Sequence, residues 1–459
     1  MLGMNNERMA LYNKRLLLFN LFRLKEAHIS ELASLMGMSV TALSKIVRDL
    51  ESSHVIEIVD DTAQSGLKKR GRQAGIVRFC RSRGLVICVD VRPQALHSVL
   101  CDVFGQVILP ERITPVSMVS QEALLSDLER EIKWYRSQLQ TALAQARQQT
   151  SAGAAETTAT GEPSVEVEPL VRWCSWALST DASLKEPRLM VALALHGQVD
   201  SEKGVSLFMP QVRWHKPLYV KYLLEQRTGL EVEIDNDCVM RTLAQKWFLL
   251  RQTEHIGSEM VLKNSKLQDF CVINLDYGIG SSFIINQEIY RGSLFGSGQI
   301  GHTILDPHGL LCSCGRHGCL ETMASVSSIM RRVTSSLSAI DRCPEDLSFA
   351  QVVDMYLAGD EVVRSQVNRS ARSIGLAIYN FLNVLNINHI YLYGALCALG
   401  NDFLEQIMRP VLVNPFDAQQ QVKDLATFIE FGSLSPSEQI AGISYLYGER
   451  FTNLQEVSQ

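Results

Sequence analysis

Between residues 30 and 51, apolar positions recur at steps of three and four. Val40, Leu43, Val47 and Leu50 predict one face of a helix that Ser39 caps and that runs to about Glu51. A shorter helix from Glu31 to Met36 is expected before it, capped by Ser30, with Gly37 supplying a turn of positive φ. Ala33 four residues ahead of Gly37 is the close-packed spacing of a helix-turn-helix. Leu11 to Lys25, carrying Leu18, Phe19, Leu21 and Phe22, predicts a third helix that completes a small core. The period then falls to two in "VIEIV" and "AGIVRF", which read as paired strands joined by "DDTAQSGLKKRGRQ".

Past residue 83 the pattern changes. "GLVICVDVRPQALHSVLCDVFGQVI" reads as two apolar strands around a turn, followed by a long helix, "SQEALLSDLEREIKWYRSQLQTALAQARQQ". A stretch of small and polar residues at about 148–168 lacks large apolar side chains and reads as a flexible surface insertion. "RLMVALALHGQVD" is a buried strand ending at a His-Gly turn, and "VEIDNDCVMRTLAQKWF" is a strand, an Asx-rich turn and a helix. Strand, glycine turn and strand recur in "FCVINLDYGIGSSFIINQEIY"; helix, strand, glycine turn and helix recur in "SIGLAIYNFLNVLNINHIYLYGALCALGNDFLEQI". Two successive sets of strands alternating with helices imply an α/β body of two lobes. The expected domains are a head at 1–83, a first lobe at 84–200 and a second lobe at 201–459, whose last helices return to the first lobe.

Composition sharpens this picture at two points. Residues 1–83 hold fourteen Lys and Arg against eight Asp and Glu, a charge of +6, which leaves −11 on the remainder of a chain whose net charge is −5. A basic head on an acidic body points to nucleic acid at the head. The eleven cysteines are odd in number and mostly isolated in apolar strings such as Val86-Ile87-Cys88-Val89, which suits reduced thiols rather than a disulfide framework. No run of eighteen apolar residues is present, so no membrane insertion is expected. The opening residues lack the layout of a secretion signal, so a cytoplasmic location is expected.

On the predicted helix after Ser39, the side opposite the apolar stripe carries Thr41, Ser44, Lys45 and Arg48. Short hydroxyls let a helix approach base edges, while Lys and Arg reach phosphates or guanine. Lys68, Lys69, Arg70 and Arg72 surround Gly71 in the segment between the strands, a basic wing tip suited to a narrow minor groove. The head therefore reads as a winged helix-turn-helix that contacts double-stranded DNA through Ser39, Thr41, Ser44, Lys45, Arg48, Lys69, Arg70 and Arg72.

From "LVICVD" onward, the order of elements resembles the ROK family of repressors, open reading frames and sugar kinases. The most specific match is "GQIGHTILDPHGLLCSCGRHGCLET", with its Gly-His and its CxCGxxGCxE spacing. With a DNA-reading head in front, the chain is similar to the repressor branch of that family. The resemblance implies an actin/hexokinase-like (RNase H-like) body with a ligand cleft between two lobes.

Cysteines at i, i+2 and i+7 in a loop containing Gly315 and Gly318 can converge, and His302 offers a fourth ligand. Three thiolates and an imidazole form the closed tetrahedral set that zinc favours, and the family's zinc site falls on His302, Cys312, Cys314 and Cys319. Structural zinc is therefore expected, with His308 and His317 as loop residues rather than ligands. The resemblance further places sugar contacts at Gly197, Asn236, Asp237, Gln299, His302 and Glu321. Position 299 departs from the family's Glu, so an uncharged amide stands where a carboxylate is usual. By itself, Asp235-Asn236-Asp237 reads as a helix cap.

The family's kinases carry an Asp-x-Gly-Gly-Thr phosphate loop. Here the stretch reads Asp90-Val91-Arg92-Pro93-Gln94, without either glycine and with a proline that has no N–H to donate. The second phosphate turn reads Asp276-Tyr277-Gly278 and the adenosine-side Gly-Gly reads Gly394-Ala395. These losses imply no catalytic residues and no enzyme activity. The expected function is a transcription regulator, a repressor of carbohydrate genes, that binds an operator as a homodimer or homotetramer and is released by a sugar or sugar phosphate. Two alternatives are a divergent ATP-dependent sugar kinase with a DNA-binding head and a repressor controlled by a sugar-transporter subunit.

Overall fold

The computed structural model describes residues 6–52, 55–59, 75–79, 84–151, 168–180, 187–210, 212, 214, 216–252, 268–412 and 427–452. The chain divides into two compact units, Met1–Asn264 with Leu434–Gln459 and Ser265–Ser433.

The first unit opens with α1 (Asn6–Leu24), β1 (Glu26–His28), α2 (Ile29–Leu35), α3 (Val40–Ser52), β2 (Ile56–Val59) and β3 (Ile76–Phe79). Leu17, Leu18 and Leu21 of α1, Leu32 of α2, and Leu43, Val47 and Leu50 of α3 are buried in this head, as the 3.6-residue period requires. Gly37, at φ +62°, makes the turn between α2 and α3, and the Met38 N–H donates to Ala33 O at 2.9 Å. Two local expectations are corrected. Val40 is 51% exposed, because a first-turn residue projects past the end of the neighbouring core. Ser30 lies within the first turn of α2, whose N-cap is His28 with no side-chain bond. Ser39 does cap α3: its hydroxyl oxygen accepts the Ala42 N–H at 3.3 Å. The strand order is β1-β3-β2, all antiparallel, so a third strand joins the expected pair.

A five-stranded sheet follows, built from β4 (Leu85–Val91), β5 (Ala95–Asp102), β6 (Val107–Pro115), β7 (Leu189–Leu195) and β10 (Glu231–Asn236) in the order β10-β7-β4-β5-β6. The expected two-strand segment is a three-stranded meander, and β7 and β10 continue it in parallel. β4 and β7 are buried throughout, which explains their unbroken apolar runs. α4 (Gln121–Ser151) covers the sheet with Leu124, Leu128, Ile132, Tyr135 and Leu139, and α5 (Glu168–Thr180) packs on α4. The predicted insertion at about 148–168 lies mostly outside the described residues; α4 extends to Ser151. The hairpin β8 (Gln198–Asp200) and β9 (Val205–Phe208), then α6 (Val220–Thr228) and α7 (Asp237–Arg251), complete this part.

The break between units falls after residue 264 rather than at 200/201. Residues 201–264 stay with the first unit because β10 pairs with β7 in register Glu231↔Met190 to Asn236↔Leu195.

The second unit repeats the plan. β11 (Phe270–Leu275), β12 (Ile279–Ile285) and β13 (Glu288–Tyr290) form an antiparallel meander, and α8 (Leu320–Ala324), α9 (Val326–Ser338), α10 (Phe349–Leu357) and α11 (Glu361–Leu385) precede β14 (His389–Tyr393). After α12 (Gly400–Leu412), β15 (Phe428–Phe431) closes the order β13-β12-β11-β14-β15. Strand order and direction thus match the first sheet, strand for strand. The chain then returns to the first unit as α13 (Pro436–Ala441) and α14 (Tyr445–Thr452). α1 packs on α7 and α14, where Phe19 meets Trp247 at 6.3 Å and Trp247 meets Tyr445 at 5.4 Å between ring centres.

Candidate metal centre and ligand-contact residues

The segment before the cysteine loop lies against β12. A Cβ at Gly298 (φ +85°) would stand 1.9 Å from Ser281 O and one at Gly301 would stand 2.1 Å from Ile279 O, so only glycine lets this backbone approach. The approach delivers His302 at the end of a 3-10 turn, Ile300–His302. The following loop folds on itself through short bridges, Ile304 with Cys319 and Leu311 with His317. Gly318 permits this crossing: at φ +69°, its Cβ would fall 1.5 Å from Asp306 O.

His302, Cys312, Cys314 and Cys319 converge, with all four ligand atoms within 4.8 Å of one another. Cys312 Sγ lies 3.5 Å from His302 Nδ1, and Cys314 Sγ lies 3.6 Å from Cys319 Sγ. Tetrahedral zinc with its usual bond lengths needs edges of about 3.5 Å between sulfur and nitrogen and about 3.8 Å between sulfurs. The donor set and its spacing therefore fit a four-coordinate metal. Burial first, then the neighbouring Cys314 and Cys312, push the Cys319 thiol up to about 12. A divalent cation would reverse that by taking the thiolates directly. Nδ1 faces the cluster, so Nε2 is the ring nitrogen of His302 left for another partner. His308 and His317 are exposed and outside the cluster; His317 Nδ1 donates to Gly309 O at 3.0 Å.

Glu321 follows in the first turn of α8, where its Oε2 accepts the Ile279 N–H at 3.2 Å. Two of the last carbonyls of this short helix take side-chain donors. Ser328 Oγ donates to Thr322 O at 2.5 Å, while Arg332 Nη1 and Ser370 Oγ donate to Met323 O at 2.9 and 3.1 Å. Gln299 is exposed.

In the first unit, Asn236 caps α7: its Oδ1 accepts the Cys238 N–H at 2.8 Å and its Nδ2 donates to Gly197 O at 2.8 Å. Gly197 holds φ +89°, and a Cβ there would stand 2.2 Å from Phe208 O. Asp237 enters a charged cluster that sequence reading did not assemble. Arg241 Nη1 lies 3.1 Å from Asp237 Oδ2, His196 Nδ1 lies 3.5 Å from the same oxygen, and Arg241 Nη2 lies 3.6 Å from Asp90 Oδ2. Arg92 Nε donates to Asp90 Oδ2 at 2.8 Å. Burial raises the Asp90 pKa, but Arg241, then Arg92 and His196, outweigh it and hold the carboxyl below its ordinary value. The available signal was the i,i+4 spacing of Asp237 and Arg241. His196 Nε2 is enclosed with no hydrogen-bond partner.

The turns at 90–94 and 276–278 are tied into the protein. The Arg92 N–H donates to Ala95 O at 3.0 Å, and the Tyr277 N–H donates to the Asp276 carboxylate at 2.8 Å. In the head, Ser39, Thr41, Lys45 and Arg48 are exposed, whereas Ser44 is half-buried and donates to Val40 O at 2.8 Å. Lys69, Arg70 and Arg72 lie outside the described residues.

A model of the ROK family matches residues 177–426. The uncharacterized protein YphH of Escherichia coli K12 is 39% identical over 452 residues, covering 97% of each chain. The xylose repressor of Caldicellulosiruptor bescii is 22% identical over 397 residues, 83% of this chain and 85% of that one. A crystal structure of a ROK family transcriptional regulator, described as a homolog of the E. coli Mlc protein, superposes with TM-score 0.69. It covers 97% of this chain and 99% of its own at 20% identity, which establishes a shared fold.

Proposed function

The chain belongs to the ROK family, and we propose that it is a DNA-binding transcription regulator of carbohydrate genes, a repressor released by a sugar or sugar phosphate. The observation that carries this reading is the outer face of α3, where exposed Thr41, Lys45 and Arg48 stand opposite buried Leu43, Val47 and Leu50. That is the layout of a recognition helix, anchored on one side and ready for a major groove on the other. The basic wing segment with Lys69, Arg70 and Arg72 adds minor-groove contacts. Similarity to a xylose repressor and to a ROK transcriptional regulator supports the assignment.

The state of Asp237 argues against phosphate transfer. A catalytic base needs an open carboxylate beside the substrate hydroxyl, whereas Asp237 is engaged by Arg241 and His196. We assign Asp237 to ligand contact, with Gly197 and Asn236 beside it in the first unit. In the second unit, Gln299, His302 Nε2 and Glu321 are the groups offered to hydroxyls. Zinc is held by His302 Nδ1 and the thiolates of Cys312, Cys314 and Cys319. When bound it fixes the loop and orients the His302 ring, and four protein donors leave no position for catalytic water. The regulator works in the cytoplasm as a homodimer or homotetramer reading paired half-sites. Among the described residues, no helix is long and apolar enough to cross a membrane.

Gel shifts on the gene's own upstream DNA, with and without a panel of sugars and sugar phosphates, test the proposal. A sequence-specific shift that one ligand abolishes is expected. No specific shift under any condition sinks it, and ATP-dependent phosphorylation of a hexose that Asp237→Asn abolishes would establish the kinase instead. A shift that responds only to a sugar-transporter subunit would replace the small-molecule effector with that protein.

A further inference from the structure

A pocket of about 240 Å³ opens where the head meets the first sheet, away from Asp237 at the other end of α7. Its lining includes Lys25 at the joint between α1 and β1, Gln106 of the β5–β6 turn, Phe248 and Arg251 of α7, and Glu438 and Tyr445 of the C-terminal segment.

Arg251 is the informative group. Its Nη2 donates to Phe104 O and to Tyr445 Oη, the latter at 2.6 Å, and both acceptors are neutral. Its Nε is enclosed without a partner, and no described carboxylate lies within ion-pair distance of it. A guanidinium drawn partly out of water normally finds an anion, because charge-assisted bonds are about twice as strong as neutral ones. Lys25 brings a second cation to the lining. The Glu438 carboxylate, the one acidic group there, is committed to the capping box of α13, where it accepts from the N–H and hydroxyl of Ser435 at 2.8 and 2.7 Å. Lys25 also holds φ +67°, a left-handed conformation costly for a residue with a side chain and often found at functional joints.

We propose that this pocket is a second effector site, binding a small oxyanion such as a phosphate group on Arg251. A bound phosphate would draw the Arg251 N–H groups away from Phe104 O and Tyr445. Tyr445 supports Trp247, and Trp247 supports Phe19 of the head, so occupancy resets the seating of α1. The consequence for DNA binding rests on the regulator reading above; the binding site itself does not.

Calorimetry on the full chain at fixed ionic strength tests the site with inorganic phosphate, ribose 5-phosphate and ribose as probes. Inorganic phosphate or ribose 5-phosphate should bind and ribose should not; binding of both phosphates identifies the shared group, and binding of ribose 5-phosphate alone identifies a phosphate ester. Arg251→Gln should weaken the binding by about tenfold or more. Gln106→Trp, which narrows the mouth and leaves every Arg251 bond intact, should do the same if Arg251→Gln fails to fold. Absence of phosphate binding, or full binding in both pocket variants, overturns the site. Loss in Asp237→Asn alone would place the anion beside Asp237, overturning this pocket and leaving the regulator reading intact.

Discussion

Arg241 reaches back one helical turn to Asp237, with Nη1 at 3.1 Å from Oδ2, and its other terminal nitrogen lies 3.6 Å from Asp90. One buried guanidinium thus joins the residue expected to meet the ligand to Asp90 near the end of β4. Arg241 is 4% exposed and Asp90 fully buried, so neither charge can turn to water if the other is removed. Arg241→Met is expected to destabilise the first unit by about 3 kcal/mol, in the range for breaking one side of a buried pair. Urea denaturation measures it. Adding Asp90→Asn should recover part of the loss, and additive losses would mean that the two side chains are energetically independent.

Asp90 also sets an acid limit. Its carboxyl is held below the ordinary value in the folded state, so the ionised form contributes stability that is fully present above the unfolded pKa, about 4. That contribution is lost as pH falls through the lower, folded value. Stability should therefore drop below about pH 4. Asp90→Asn, less stable overall, should show a shallower drop.

The cysteine loop predicts a metal-dependent melting curve. A strong chelator should lower the melting temperature of the natural chain by about 5 °C, since a structural metal contributes folding energy. Cys314→Ser should carry little zinc by elemental analysis and should not respond to the chelator. Gly318→Ala should lose the metal as well, because its added Cβ has no room beside Asp306 O. Normal zinc content in either variant would refute this arrangement of ligands.

Arg48 and Lys45 lie on the exposed face of α3. Arg48→Ala and Lys45→Ala should each weaken operator binding by about tenfold without changing the melting temperature. If one of them contacts phosphate, its variant should also reduce the salt dependence by about one unit of slope. Fluorescence anisotropy over a salt series reads both quantities.

The two serines of the head separate a true cap from an apparent one. Ser39→Ala should cost about 1 kcal/mol by losing the bond to the Ala42 N–H. Ser30→Ala should change stability by less than about 0.5 kcal/mol, because Ser30 caps nothing and is exposed. Equal losses would contradict the helix start at Ile29.

Local chemistry was legible in the sequence. The four residues that could hold a metal lie within eighteen residues and stand out by spacing, and the buried face of α3 follows from steps of three and four. Legibility ended where partners are remote in the chain. Asp90 and Arg241 are 151 residues apart, and only the parallel pairing of β4, β7 and β10 brings them together. The same pairing explains why residues 201–264 belong with the first sheet, which apolar runs alone do not reveal. β1 was missed because three residues, Glu26–His28, are too few for a period-two pattern. Asn236 illustrates an overlap of roles: it is a helix cap, as its local sequence suggests, and stands beside Asp237 at the start of α7.

The aromatic stack of Phe19, Trp247 and Tyr445 draws its members from three widely separated parts of the chain. A ribosome releases them in that order, so the helix that opens the head emerges long before the surface on which it rests. Until the segment beginning at Leu434 has emerged and docked, the head has its own small core but lacks its full seat on the body. Fragments ending short of that segment would lack Tyr445 behind the Trp247 ring on which Phe19 rests. Docking of α14 therefore completes the support beneath α1.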